Sequence, residues 1–240
     1  MRPDAVHAVI AVKNLDRAKS RLADRVPDPQ RARLVLAMLS DTVRAALAAG
    51  LGSVTVVTPD SVVAETVRGL GARVHPDPAA SPGTADARAS GLNTALAAAA
   101  SAVRERFGAV DLLFLQADLP AVRAQEVRAM LAAAPAAGRA LVVDHTGRGT
   151  AALLIRGADT ELTTRFGPDS ARLHRESGAI AIAGNWPGLR LDVDTAADLD
   201  RAIALGLGAA SADLLARIDW TVDVNTQFIG GVPARRVCAG

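Results

Sequence analysis

The stretch Asp111-Leu112-Leu113-Phe114-Leu115-Gln116-Ala117-Asp118-Leu119-Pro120 most restricts what this chain can fold into. Its bulky apolar residues run without alternation over too few positions for a helix. That is the pattern of a strand buried on both faces, as strands of parallel sheets are. Such a strand needs helices on both sides. Pro120 prevents the sheet from continuing, which leaves Asp118 at the carboxyl end of the strand, where ligands of open α/β sheets gather. Two readings of Asp118 follow from position alone: a cap for a helix beginning near Val122, or a ligand for a metal or substrate.

The rest of the chain supplies the sheet and helices that this strand requires. Val6–Val12 reads as a first strand and is followed by the basic loop Lys13–Leu22. Gln30–Ala49 has helical spacing, with Leu34, Met38, Val43 and Leu47 on one broad face, and Gly50 ends it. Ser53–Thr58 is a second strand, Val62–Leu70 a helix and Ala72–His75 a short third strand. Pro76–Gly83 is a proline-rich loop, and Ala87–Phe107 a long alanine-rich helix. After the central strand, Leu112–Gln116, come a helix at Ala124–Ala134 and two strands, Ala140–Asp144 and Ala151–Ile155, joined by a glycine-bearing turn. Ala179–Ala183 and Leu189–Leu191 read as further short strands, and Ala196–Leu205 as a helix. This alternation predicts one domain over residues 1–210, a mostly parallel sheet with helices on both faces. Residues 211–240 read as a less regular C-terminal extension with no assigned role.

Composition narrows the function. At 240 residues, half of them apolar, the chain can bury a sizeable core. Two Trp, four Phe and no Tyr leave few stacking platforms for single-stranded nucleic acid. A net charge of +2 gives no broad field for a polyanion. No nucleic-acid partner is expected. No apolar run has the length of a membrane span, Cys238 has no cysteine to pair with, and the N-terminus enters a strand without a signal-peptide plan. A cytoplasmic protein is expected. Lys13 and Lys19 are the only lysines; every other cation is Arg.

Asp192-Val193-Asp194 is a second acidic constellation. In an extended segment, residues two apart share a face, so both carboxylates can converge on one point. Two aligned buried carboxylates repel unless a cation lies between them. With Asp118 they make an oxygen-rich, sulfur-free set suited to Mg²⁺ shared with phosphates. Read separately, Asp194 caps the last helix and Asp192 is solvated. Lys13, Lys19 and Arg21 lie at the same sheet edge and can grip a triphosphate, or form an ordinary solvated loop. Thr150, Gly167 and Ser170 suit an anion pocket of hydroxyls and backbone amides; turn and cap chemistry uses the same residue types. There is neither a G-x-x-x-x-G-K-[ST] cradle nor a G-x-G-x-x-G fingerprint. The four histidines, His7, His75, His145 and His174, have no metal-ligand spacing.

Taken in order, Val12-Lys13-Asn14-Leu15, Ala18-Lys19-Ser20-Arg21-Leu22, Gly91-Leu92-Asn93, Gln116-Ala117-Asp118-Leu119-Pro120 and Asp192-Val193-Asp194-Thr195 with Asp198-Leu199 resemble the guanylyltransferase family of coenzyme F420 biosynthesis. The resemblance spans residues 6 to 207 and implies a nucleotidyltransferase with a glycosyltransferase-A-like fold. It implies transfer of GMP from GTP to a small phosphorylated three-carbon acid, with release of pyrophosphate. Archaeal relatives are associated with 2-phospho-L-lactate and actinobacterial ones with phosphoenolpyruvate. The Arg- and Ala-rich composition fits the latter, with enolpyruvoyl-2-diphospho-5'-guanosine as product. By position, the resemblance makes Asp118, Asp192 and Asp194 the Mg²⁺ ligands, and Thr150, Gly167 and Ser170 the acid-substrate pocket. Lys13, Lys19, Arg21 and Asn93 fall where relatives hold the nucleotide, with Lys13 and Asp118 as the catalytic pair. Two departures stand out: the wider superfamily's glycine-rich loop after the first strand is missing, and Ala151-Ala152 stand where some relatives carry Asn. A catalytically silent nucleotide-binding module is the reading from another functional class.

Overall fold

The computed structural model describes residues 5–13, 15, 19–77 and 85–222, with the backbone alone for 85–90. Seven strands form one sheet: β1 (Val6–Ala11), β2 (Ser53–Thr58), β3 (Arg73–Pro76), β4 (Asp111–Leu115), β5 (Gly138–Val143), β6 (Thr150–Arg156) and β7 (Ile180–Ala181). Their spatial order is β3-β2-β1-β4-β6-β5-β7. β1, β2, β3 and β4 pair in parallel. β6 runs antiparallel to both β4 and β5, as the glycine-bearing turn between β5 and β6 requires. The sheet is therefore mixed, with β6 the strand that runs against the rest.

Among the described residues eight α-helices cover it: α1 (Asp28–Ala48), α2 (Ser61–Gly69), α3 (Ala85–Phe107), α4 (Ala124–Ala133), α5 (Ser170–Glu176), α6 (Pro187–Arg190), α7 (Ala196–Leu205) and α8 (Ala209–Arg217). The period-2 alternation of a strand splits the core in two. On one face Leu113 and Leu115 of β4 join Ile10, Val56, Leu34, Met38 and Leu199, beneath α1, α2, α4, α7 and α8. On the other, Leu112 and Phe114 join Val9, Leu153, Leu96 and Ala99, beneath α3 and α5. β4 is apolar at every position from Leu112 to Leu115 because both its faces are buried. None of the helices among the described residues is long and apolar enough to cross a membrane.

Three elements depart from the sequence reading. Leu189–Leu191 is not a strand; Leu189 lies in α6, whose first residue, Pro187, has its φ fixed at a helical value. Gly188 brings this turn against the β4–α4 loop: a Cβ there would sit 2.2 Å from the Ala121 carbonyl oxygen, and its N–H donates to Glu126 Oε1. The Ala179–Ala183 segment pairs with β5 only at Ile180 and Ala181, and both are exposed. Residues 209–217 form the regular helix α8, capped across the chain by Asp41, which accepts from the amides of Ala210 and Ser211. The Thr226–Gly240 segment lies outside the described residues.

Candidate active site

The carboxyl ends of β1 and β4 meet the 191–195 segment at one edge of the sheet. The β4–α4 loop is held from several sides. Thr42 Oγ1 accepts from the Leu119 amide, Asp118 O accepts from the Val193 amide, and Pro120 O accepts from the Gly208 amide. The second of these bonds sets Asp118 beside Asp192 and Asp194.

Neither acid is used as a cap. α4 begins at Arg123, whose amide donates to Glu126, and α7 is capped by Thr195 with Asp198 reciprocating. Lys19 instead contacts both Asp118 and Asp194, lying 2.7 Å from Asp194 Oδ1. Burial alone would pull the Lys19 pKa down, but the two carboxylates outweigh it and the ammonium is held more firmly charged than usual. Asp194 shows the counterpart: burial pushes it up, and Lys19, then Arg21, bring it below the usual range. Lys19 adopts φ 56°, in the left-handed region, at the start of a short 3-10 turn through Leu22.

Asp192 has a different environment. Burial, followed by the Asp118 charge and then Asp144 and Asp194, pushes its carboxyl up to about 6, against a backbone hydrogen bond acting downward. Its Oδ1 lies 3.5 Å from His145 Nδ1, and His145 Nε2 lies 3.0 Å from Asp198 Oδ1. His145 stands on the β5–β6 turn. Asp144 shapes that turn by accepting from the Arg148 and Gly149 amides and from Thr146 Oγ1. A Cβ on Gly149 would fall 2.3 Å from Asp144 Oδ2, so a side chain there would push the carboxylate off the amides it holds. Arg190 fastens the turn to α6 by donating to the Val143 and Asp144 carbonyls.

Two buried carboxylate oxygens, Asp118 Oδ1 and Asp192 Oδ1, have no hydrogen-bond partner. Unpaired buried acceptors of this kind are costly unless a ligand satisfies them. Among the described residues no three His, Cys, Asp or Glu side chains form a ready-made metal cage. The acids are instead divided, with Asp118 and Asp194 on Lys19 and Asp192 against His145. The donor set, all oxygen and no sulfur, suits a hard divalent cation.

A second group lies at the start of β6. Thr150 and Ser170 are buried and Gly167 is exposed, with φ 132°. Thr150 Oγ1 is 2.9 Å from His174 Nδ1. The Asn93 side chain clamps the Phe166 backbone, accepting from its N–H and donating to its carbonyl, each at 2.9 Å. Asn93 thus fixes the loop that carries Gly167. Asp169 adopts φ 53° and pairs with Arg148, rather than capping α5 through its side chain. Lys13 stands half-buried two residues past the end of β1 and forms no ion pair among the described residues; Arg21 is exposed on the 3-10 turn.

The MobA-like NTP transferase domain matches residues 35–183. A protein of Nocardia farcinica named phosphoenolpyruvate guanylyltransferase is 58% identical over 239 residues, covering 99% of this chain and 100% of that protein. The chain belongs to the phosphoenolpyruvate guanylyltransferase family. It is a nucleotidyltransferase. A Rhodococcus erythropolis protein of the same name is 48% identical over 221 residues, covering 90% of this chain and 98% of that one. The fold is shared with a crystal structure described as a putative nucleotide-diphospho-sugar transferase from Desulfovibrio desulfuricans. That structure gives a TM-score of 0.62 at 15% identity, over 90% of this chain and 95% of the other. The domain match includes Asp118, Thr150, Gly167 and Ser170. The guanylyltransferase relatives extend the likeness over the segments that carry Lys13, Lys19, Asp192 and Asp194.

His145, Asp198 and His174 lie against the candidate site residues, and sequence reasoning gave them no role. His145 and His174 lack ligand spacing, and their side-chain partners Asp198 and Thr150 are 53 and 24 positions distant. The available signals were an acid at the end of β5 followed by a glycine-bearing turn, and the Thr-x-x-Asp capping box of α7.

Proposed function

We propose that the protein transfers GMP from GTP to phosphoenolpyruvate, giving enolpyruvoyl-2-diphospho-5'-guanosine and pyrophosphate, as a cytoplasmic step of coenzyme F420 biosynthesis. The observation that carries this reading is the 58% identity, over the full length of a relative bearing that name. The acid cluster supports it. Asp118, Asp192 and Asp194 would hold Mg²⁺, and two of their oxygens are buried without partners. A bound Mg²⁺ supplies positive charge that offsets the repulsion between a triphosphate and a phosphorylated acid.

The remaining work falls to side chains. The acceptor's phosphate oxygen attacks the α-phosphorus of GTP in line, and the bond from that phosphorus to the pyrophosphate oxygen breaks. The nucleophile is already an anion, so no general base is needed. Lys13 stabilises charge developing at the α-phosphate, Lys19 and Arg21 hold the outgoing phosphates, and Thr150, Gly167 and Ser170 hold the acid. Asn93, which fixes the loop carrying Gly167, supports the acid pocket from beside the nucleotide.

The test is pyrophosphate release from GTP and Mg²⁺ with phosphoenolpyruvate or with 2-phospho-L-lactate. Turnover with phosphoenolpyruvate is expected. Turnover with 2-phospho-L-lactate alone would move the acceptor assignment, and release with neither would remove the reading. Asp118→Asn is expected to lower turnover by at least about a hundredfold with the fold intact, because an amide oxygen is a poor ligand for Mg²⁺.

A further inference from the structure

His174 on α5 is fully buried, and the reaction scheme above gives it no task. Its two ring nitrogens meet different partners. The Arg165 backbone amide donates to Nε2 at 2.8 Å, and Nδ1 lies 2.9 Å from Thr150 Oγ1. A backbone N–H can only donate, so Nε2 must present a lone pair. The ring is therefore not doubly protonated, and its single proton sits on Nδ1. An Nδ1–H can only donate, to Thr150 Oγ1 or to the Ser170 backbone carbonyl, so in either case Nδ1 cannot take the Thr150 proton. The hydroxyl's own proton must then go elsewhere, and Thr150 Oγ1 makes no other hydrogen bond among the described residues. Burial, then the Arg139 charge, then Arg165 push the ring pKa down to about 4 against a backbone hydrogen bond with Ser170. The neutral ring persists through neutral pH. Phe166 packs edge-on against it, at 5.0 Å and 75°, and so holds the ring's orientation.

We infer that His174 is a positioning residue of the acid pocket: held in one tautomer between Arg165 and Thr150, it compels the Thr150 hydroxyl to donate its proton to a carboxylate or phosphate oxygen of the acceptor substrate. The opposite tautomer would take the Thr150 proton and leave the hydroxyl's lone pairs for the substrate, which would repel an anion. The same bond to the Arg165 amide anchors the segment leading to Gly167, so one ring sets both sides of the pocket. The inference rests on Thr150 belonging to the acid pocket.

Two experiments test it. In protein with ¹⁵N-labelled histidine, long-range ¹⁵N–¹H correlation at neutral pH should show His174 protonated at Nδ1 and bare at Nε2. An Nε2–H or doubly protonated ring overturns the inference with no ligand present and no mutation made. The second experiment is kinetic. His174→Gln keeps an acceptor near the Nε2 position and loses the Nδ1 donor; His174→Asn does the reverse. Thr150→Val and His174→Gln should each raise the KM for phosphoenolpyruvate about ten- to hundredfold, the range for a lost hydrogen bond to an anion, and leave the KM for GTP within about threefold. The double variant should be no worse than either single one, and His174→Asn should lie nearer the parent. Additive losses, or equal shifts in both KM values, mean a merely structural role and overturn it. If the wild type shows the Nδ1–H ring yet no acid-dependent pyrophosphate release, the acceptor assignment fails separately. Titration with inorganic phosphate then decides: phosphate-induced shifts of the His174 ring signals that vanish in Thr150→Val support the donor role, and their absence in the wild type overturns it.

Discussion

The Lys19 ammonium donates to Asp194 Oδ1 at 2.7 Å and contacts Asp118 at the same time, joining two acids that lie far apart in the sequence. It performs the charge neutralisation assigned above to a divalent cation. A lysine and a metal that satisfy the same oxygens cannot both bind them fully.

Lys19→Met should therefore destabilise the metal-free protein and do less harm when metal is present. In chelator, urea unfolding should show a loss of about 1–3 kcal/mol, below that of a fully buried pair because the Asp194 side chain is 49% exposed. Millimolar Mg²⁺ should raise the variant's midpoint more than the parent's. An equal deficit with and without Mg²⁺ would show that the ammonium and the metal do not share these carboxylates.

Asp192 gives a pH signature of opposite sign to the usual acid. Its carboxyl titrates at about 6 in the fold, chiefly through burial and then the Asp118 charge, against about 3.9 when unfolded. Between those values the folded state binds more protons than the unfolded one, so stability falls as pH rises. The whole cost, up to about 3 kcal/mol, is present above the folded pKa and absent below the unfolded one. In chelator, Asp192→Asn should be more stable than the parent at pH 8, with the difference closing as pH falls below 4. A difference independent of pH would contradict the assignment.

His145 Nδ1 lies 3.5 Å from Asp192 Oδ1, and the ring is held through Nε2 by Asp198. Outer partners of metal ligands typically contribute about 10- to 100-fold in metal affinity. His145→Ala should lower Mn²⁺ affinity, read by EPR titration with GTP present, by about that factor, while the melting temperature changes little. Unchanged Mn²⁺ affinity would leave His145 as a turn residue only.

Much of this arrangement was legible in the residues. Leu112–Leu115 reads as a doubly buried strand because apolar side chains on both faces can have no other use, and the acid after it falls at the sheet edge by geometry. Asp192 and Asp194 carried their own signal, two residues apart. What escaped was everything set by tertiary contact. A fixed φ at Pro187 and the close approach at Gly188 turned an apolar triplet into a helical turn. The pairing of Lys19 with two acids 99 and 175 positions distant has no local trace, and the same is true of Asn93 clamping Phe166. Nor did the residues announce that Lys19 would contact two of the three acids, where its ammonium lowers their mutual repulsion.

Gly208 shows how the distal helix is coupled to the site loop. Its amide donates to Pro120 O at 2.7 Å, two residues from Asp118, and a Cβ on it would lie 2.3 Å from Asp41 Cγ. Asp41 is buried and caps α8 through both oxygens. Gly208→Ala should push the carboxylate off the first turn of α8, at a cost of about 1–3 kcal/mol in lost capping and overpacking. The melting temperature should fall by about 3–10 °C. The assignment to Asp41 is checked by a double variant. Asp41→Ala alone loses the cap, but it also opens the space that the new methyl needs. Gly208→Ala added to it should therefore cost little more, whereas additive losses would place the strain in the backbone rather than against Asp41.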